Sequence, residues 1–244
     1  MGQYSAGELL QIGQEPVIAA VVGCLGKTTF IDSVARAYPK KRVLLTPTAK
    51  ILAKMDHDIR LCTNLAAVKA HRPSPGIQCF GILDEQTQKC SALPEKLLRE
   101  IVGAYDLPLM EADGSRGLPC KGWAAFEPVI PDFCTHTVGI VTLLGLFRPV
   151  SEDTVLRIPE FTALTGLQPG DIITEEALLD MVCGEGGMFR EAAGKRCLFF
   201  SQVEDAAAEE TARRLLTQIG KRMAFNLLAY GSARRDSWKE VQIR

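Results

Sequence analysis

The sequence predicts an α/β protein: a mostly parallel sheet flanked by helices on both faces, one domain over residues 1–244, with an irregular excursion around residues 53–92. Three observations carry that reading. Short β-branched apolar runs alternate with segments of helical spacing, and the first run enters its helix through a glycine turn, "VVGCLGKTTF" at 21–30. Hydrophobic residues make up 47% of the chain yet come in runs cut by Gly, Pro or charge, well short of the roughly 20 apolar residues that span a bilayer.

Taken in order, "PVIAAVVG" (16–23) reads as a buried strand, and "KTTFIDSVARAY" (27–38) sets Phe30, Ile31, Val34, Ala35 and Tyr38 at helical spacing. "KKRVLLTPT" (40–48) is a second buried strand, stopped by Pro47. Two strands around one helix make a βαβ unit. The excursion follows, with "HRPSPG" (71–76) as a loop and "IQCFGILDEQTQKCSAL" (77–93) as a hairpin turned at residues 84–87. "PEKLLREIVGAY" (94–105) is a helix with Pro94 near its start, and "DLPLMEADG" (106–114) a strand. "THTVGIVTLLG" (135–145) is a strand, "TEEALLDMVCG" (174–184) a helix capped by Thr174 and closed by Gly184, and "GKRCLFFSQ" (194–202) a strand. "DAAAEETARRLLTQIG" (205–220) is a helix, and "AFNLLAYGS" (224–232) the last strand.

The 28 basic and 29 acidic residues nearly cancel, so no whole-protein field draws the chain to nucleic acid or to an anionic membrane. Neither is an expected partner. The N-terminal residues lack the basic and apolar blocks of an export signal, and a cytoplasmic location is expected. The eight cysteines are scattered with no C-x-x-C spacing, which suits reduced, packed thiols. His57, His71 and His136 form no ligand pattern, so a zinc site is not expected.

The glycine turn carries the chemistry. A strand-to-helix turn presents unpaired backbone N–H groups and the positive end of the helix dipole, a combination that suits phosphate. "GCLGKTT" supplies Gly23 and Gly26 for the turn, Lys27 to reach terminal phosphates, Thr28 to ligate Mg²⁺ and Thr29 to bond a phosphate oxygen or cap the helix. It is a shortened form of G-x-x-x-x-G-K-[ST], since Val21 stands where the first glycine belongs. The bland alternative is a tight turn with a solvated lysine. Glu111 and Asp113 end another apolar strand, where P-loop enzymes hold Mg²⁺ or its water. There the alternative is an ordinary turn with exposed acids.

Together "VVGCLGKTTF", "LLTPTAKI", "MEADGSRGLPCKG", "FEPVIP" and "VLRI" make the chain resemble, over residues 16–205, the YqeC-type proteins described as selenium-dependent molybdenum hydroxylase accessory proteins. The resemblance implies a P-loop-like fold that binds NTP with Mg²⁺, and partners among molybdenum hydroxylases or the proteins that load their cofactor. It carries phosphate binding onto Gly23, Gly26, Lys27, Thr28 and Thr29. It adds Thr46 and Thr48 at the second strand's end, Glu111 and Asp113 at the metal edge, Arg116 and Lys121 just beyond, and Glu127 at the EPVIP turn.

There are departures. Leu25 replaces a family glycine, Pro47 a common threonine, and Leu156 the histidine of a His-Arg pair that Arg157 completes. In "FFSQVED", Ser201 and Gln202 replace the Asn-Lys of an N-K-x-D-like guanine signature, so ATP is expected over GTP.

Two functions follow. One is an Mg²⁺-dependent NTPase with Lys27, Glu111 and Asp113 as catalytic residues and Thr28 and Asp113 on the metal. The other is a nucleotide-gated binding module with little turnover. A Mur-like ATP-dependent ligase is a third reading, against which the chain lacks length for the extra domains such ligases use. Cys24, beside the helix N-terminus, is a candidate low-pKa thiol or simply a packed one.

Overall fold

The computed structural model describes residues 2–52, 65–84, 86–87 and 89–243, so part of the expected excursion, residues 53–64, lies outside the described residues. In chain order the elements are α1 (Ala6–Leu9), β1 (Ala19–Gly23), α2 (Lys27–Arg36), β2 (Arg42–Pro47), β3 (Ile51–Leu52), α3 (Leu65–Ala70) and β4 (Gly76–Cys79). Next come β5 (Ile82–Asp84), β6 (Lys89–Ser91), α4 (Glu95–Val102), β7 (Leu107–Glu111), β8 (Cys120–Lys121), β9 (His136–Thr142), β10 (Val155–Leu156) and α5 (Ile158–Thr165). The chain closes with α6 (Glu175–Cys183), β11 (Lys195–Ser201), α7 (Ala206–Arg222), β12 (Leu227–Ser232) and β13 (Ser237–Glu240).

Eight strands form one sheet in the order β13-β12-β11-β9-β1-β7-β2-β4. Every neighbouring pair is parallel except β12 with β13. Alternation along β1 shows why both faces need helices. Ala19 and Val21 pack into one buried cluster with Phe30, Ile31 and Val34 of α2, while Ala20 and Val22 enter a second with Leu97 and Leu98 of α4 and Leu215 and Leu216 of α7. A strand buried on both sides must be apolar at every position, which is why it reads as an unbroken run. The connection after β1 leads to β2 on one side, and β7 is followed by β9 on the other. The chain thus reverses direction about β1, opening a crevice at the carboxyl ends of β7, β1 and β9.

The expected hairpin is present: β5 pairs antiparallel with β6, and Asp84 Oδ1 accepts the N–H groups of Gln86 and Thr87, each at 3.1 Å. The excursion is more ordered than its sequence suggests, because β4 joins the main sheet as the edge strand beside β2. Several elements had no counterpart in the sequence reading, α5 and β13 among them. Helix α5 begins at a left-handed Arg157 (φ 60°). Strand β13 comes from the charged segment "ARRDSWKEV" (233–241), yet its Trp238 is fully buried, edge-on to Phe30 and Phe199.

Candidate functional site

Strand β1 ends at Gly23, whose φ of 115° and whose place 2.3 Å (from a notional Cβ) off the Ile140 carbonyl leave room only for glycine. The turn that follows is tied to its surroundings. Gly23 N–H reaches both Asp113 oxygens at 3.1 Å, Cys24 N–H donates to Ile140 O and Leu25 N–H to Leu118 O, each at 3.0 Å. The first helical bond of α2 runs from Phe30 N–H to Gly26 O at 2.9 Å, and Gly26, the N-cap, offers no side chain. Among the described residues the N–H groups of Gly26, Lys27, Thr28 and Thr29 make no backbone hydrogen bond of ordinary geometry, as the first turn of a helix leaves them. Leu25 does not distort the turn: positive φ falls on Gly23 and Gly26, not on residue 25.

Beneath the turn lies a buried chain of alternating charge. Lys27 Nζ donates to the carbonyls of Gly23 (2.7 Å) and Cys24 (3.3 Å) and lies 3.2 Å from Asp113 Oδ1. Asp113, sealed from solvent, also accepts from Trp123 Nε1 at 2.7 Å and from Lys121 Nζ at 3.1 Å. Lys121 Nζ goes on to Gly114 O (2.7 Å) and Glu127 Oε2 (2.9 Å). Glu127 in turn is held by both terminal nitrogens of Arg157, one of them 3.1 Å from Oε1, and Arg157 lies over the exposed Phe126 ring at 5.0 Å. Lys27, Asp113, Lys121, Glu127 and Arg157 thus alternate in sign, so each buried charge has an opposite neighbour, as burial demands.

The electrostatics follow from that order. Burial pulls the Lys27 ammonium down, but Asp113 and Glu111 outweigh it and its pKa rises. Burial pushes Asp113 up, and Lys27, Lys121 and the Trp123 N–H outweigh it, so its pKa falls. Glu111 is different. It is half-buried, its main described polar contact is Thr28 Oγ1 donating to Oε2 at 3.3 Å, and burial raises its pKa against the pull of Lys27.

Of the residues singled out from the sequence, Gly23, Gly26, Lys27, Thr28, Glu111, Asp113 and Lys121 converge here, and Thr29 stands exposed at the helix start. Thr46 is buried within β2, and Thr48 Oγ1 is taken by Val129 O at 2.6 Å. Arg116 is exposed at a left-handed turn residue (φ 52°) and joins none of these contacts. Cys24 is buried, and burial pushes its thiol up to about 12 despite Lys27 and Lys121, so it packs as a small hydrophobe rather than serving as a thiolate. Sequence reasoning missed Trp123 and Arg190. Arg190 donates to the carbonyls of Trp123 (3.2 Å) and Ala124 and so pins the segment that carries Trp123. Trp123 follows Lys121 by two residues, a strand-like spacing that was legible; nothing near Arg190 in the sequence marks it.

The arrangement fits a phosphate group, since four open amides stand at the mouth of a ten-residue helix. Thr28 and Glu111 suit a magnesium ion, which keeps most of its waters and takes one or two protein oxygens. Asp113 suits it less well, its oxygens being filled by Gly23, Lys27, Lys121 and Trp123.

Comparison with known proteins bears on the same residues. Over 216 residues, 84% of this chain and 84% of the relative, the sequence is 29% identical to a protein of Escherichia coli (strain K12) named "Uncharacterized protein YqeC". No solved structure matches. The family model described as "YqeC protein" matches residues 19–159, more than half of the chain, and that span holds β1, the glycine turn and every member of the buried charge chain from Lys27 to Arg157. The chain belongs to the YqeC protein family.

Proposed function

We propose that the protein binds a nucleoside triphosphate with Mg²⁺ at the mouth of α2 and acts as an accessory factor whose partner contacts depend on that nucleotide. One observation carries the reading: the four unpartnered amides of Gly26, Lys27, Thr28 and Thr29 at the carboxyl edge of the central strand. Thr28 and Glu111 would hold the metal, which would neutralise phosphate charge. Asp113 would serve as the scaffold that keeps Lys27 and the loop in place. Lys27 Nζ faces Asp113 under the loop, so the amides make the first contact with phosphate and the ammonium adds its charge from below. The turn from 114 to 129 follows Asp113 directly, and the exposed Phe126 and Val129 on it would report the nucleotide state to a partner. A molybdenum hydroxylase, or a protein that loads its cofactor, is the partner that the family resemblance suggests.

The test is thermal unfolding of the purified chain with ATP, GTP and CTP, each with and without Mg²⁺. Binding adds RT ln(1 + [L]/Kd), about 2.7 kcal/mol at roughly 100 Kd. Lys27→Ala, read against its own nucleotide-free melting point because it also breaks the buried pair with Asp113, should lose most of the shift. Phosphate release in the same samples separates an NTPase from a binding module. Absence of any nucleotide-dependent shift would end the reading.

A further inference from the structure

Beyond the carboxyl end of β9 the chain makes one tight turn, Leu143–Gly145, and then pairs with a later segment to form a short surface ribbon. Phe147 N–H donates to Ile173 O and Ile173 N–H to Arg148 O, each at 2.9 Å, and Val150 N–H donates to Asp171 O at 2.8 Å. Val150 and Ile173 turn inward and are buried, whereas Pro149 and Ile172, opposed across the ribbon, are exposed. Two residues before Pro149, Phe147 stands 70% exposed on a left-handed backbone (φ 61°) that aromatic residues seldom adopt. Its bond to Ile173 holds it there. The charges around the ribbon are unmatched: Arg148, Glu152 and Asp153 are exposed, and none joins an ion pair or a side-chain hydrogen bond among the described residues. The acids that follow, Glu175 and Glu176, are paired with Arg214 and Arg222. An exposed apolar centre with a polar rim is the anatomy of an interface.

We propose that this ribbon docks against the same ribbon of a second copy of the chain, forming a two-fold dimer. The rim carries both signs. A partner of a single charge would leave one sign unmatched, whereas a two-fold interface brings the same patch of both subunits together and can match both. Arg148 lies two residues before Val150 and Glu152 two after it, so an axis near Val150 sets the Arg148 of each protomer against Glu152 and Asp153 of the other. Phe147, Pro149 and Ile172 of both protomers then close over the centre and leave water. A large aromatic anchor inside a ring of polar contacts is where binding energy concentrates. None of these residues belongs to the α2 mouth, so the dimer stands or falls apart from nucleotide binding.

Sedimentation equilibrium of the full chain over a wide range of concentration reads the association directly, and a reversible dimer is expected. Phe147→Gly removes the ring and suits the left-handed backbone, so it should melt no lower than wild type at dilutions where both are monomeric, while dimerisation weakens by about tenfold or more. Arg148→Glu makes the rim wholly acidic, and the double variant Glu152→Arg with Asp153→Arg makes it wholly basic. Each alone should be monomeric, with a melting point near that of wild type. Mixed in equal amounts, the two should form a heterodimer, because each rim then meets its opposite. A chain that is monomeric at every concentration overturns the proposal, and so does a dimer that survives Phe147→Gly unweakened. Failure of the two charge variants to associate when mixed overturns the two-fold pairing.

Discussion

The Lys27 ammonium lies 3.2 Å from Asp113 Oδ1 with both side chains sealed from water, their accessibilities being 1% and 0%. A lysine in this place is expected to face the phosphate; here it anchors the floor of the turn from which the helix amides open. The carboxylate holding it also caps Gly23 N–H, so one acid fixes both the loop backbone and its cation.

The connectivity of the charge chain ranks its members. Without Lys121, Asp113 keeps Lys27 and Glu127 keeps Arg157; without Asp113, the buried Lys27 has only two carbonyl oxygens. Asp113→Asn should therefore cost about 3–5 kcal/mol, the range for breaking a buried pair, and Lys121→Met less. Urea unfolding at pH 7 measures both, and the reverse order would refute the ranking.

Arg157→Lys should rescue little of what Arg157→Ala loses. Arg157 grips both oxygens of Glu127 from the left-handed residue that starts α5, and an ammonium cannot reproduce a planar two-point grip. A loss of about 1–3 kcal/mol in chemical unfolding is expected for either variant. Full rescue by lysine would show that only charge matters there.

Backbone demands separate the loop positions. Gly23→Ala places a Cβ 2.3 Å from Ile140 O at φ 115° and should unfold the protein or lower its melting point steeply, whereas at Gly26 the nearest atom to a Cβ is a side-chain carbon at 3.5 Å. Gly26→Ala should thus cost about 1–3 kcal/mol for backbone strain alone. Leu25→Gly relieves no strain, because residue 25 has no positive φ, and should destabilise by about 0.5–1 kcal/mol through chain entropy. Differential scanning of the three variants in parallel gives the order directly.

The middle of the parallel core was legible because its central strands are buried on both faces and so leave continuous apolar runs, as in Ala19–Gly23 and Leu107–Glu111. Trp238 was not. Its strand alternates a single large apolar side chain with Ser237, Lys239 and Glu240, and an edge strand of four residues carries too little pattern to outweigh its charges. At the site, the glycines and the carboxylate pair could be read from spacing, but the partners of Asp113 could not. Lys121 and Trp123 reach it only because β8, paired with β10, holds their segment over the end of β7. Contacts made by tertiary placement leave no local periodicity.

Glu111 and Asp113 should respond to pH in opposite directions. Asp113 has its folded pKa lowered, so its stabilisation is present above the ordinary carboxylate range and is lost as pH falls through the folded value. The gap between wild type and Asp113→Asn should narrow on acidification. Glu111 has its folded pKa raised, chiefly by burial. Above that folded value it is ionised in both states, and the folded protein bears the desolvation cost; below the ordinary value it is protonated in both and the cost vanishes. Glu111→Gln should therefore be more stable than wild type at pH 8, with the advantage shrinking steadily toward pH 4. Each 1 kcal/mol appears as about 2–4 °C in a chain of this size. Added Mg²⁺ and triphosphate should reverse the order, because the carboxylate that burdens the empty fold would then carry a metal contact that glutamine supplies poorly. Melting curves of the two proteins across pH, with and without Mg²⁺ and nucleotide, decide it: a Gln variant less stable at every pH without ligand would place Glu111 among the structural ion pairs and take it out of the site.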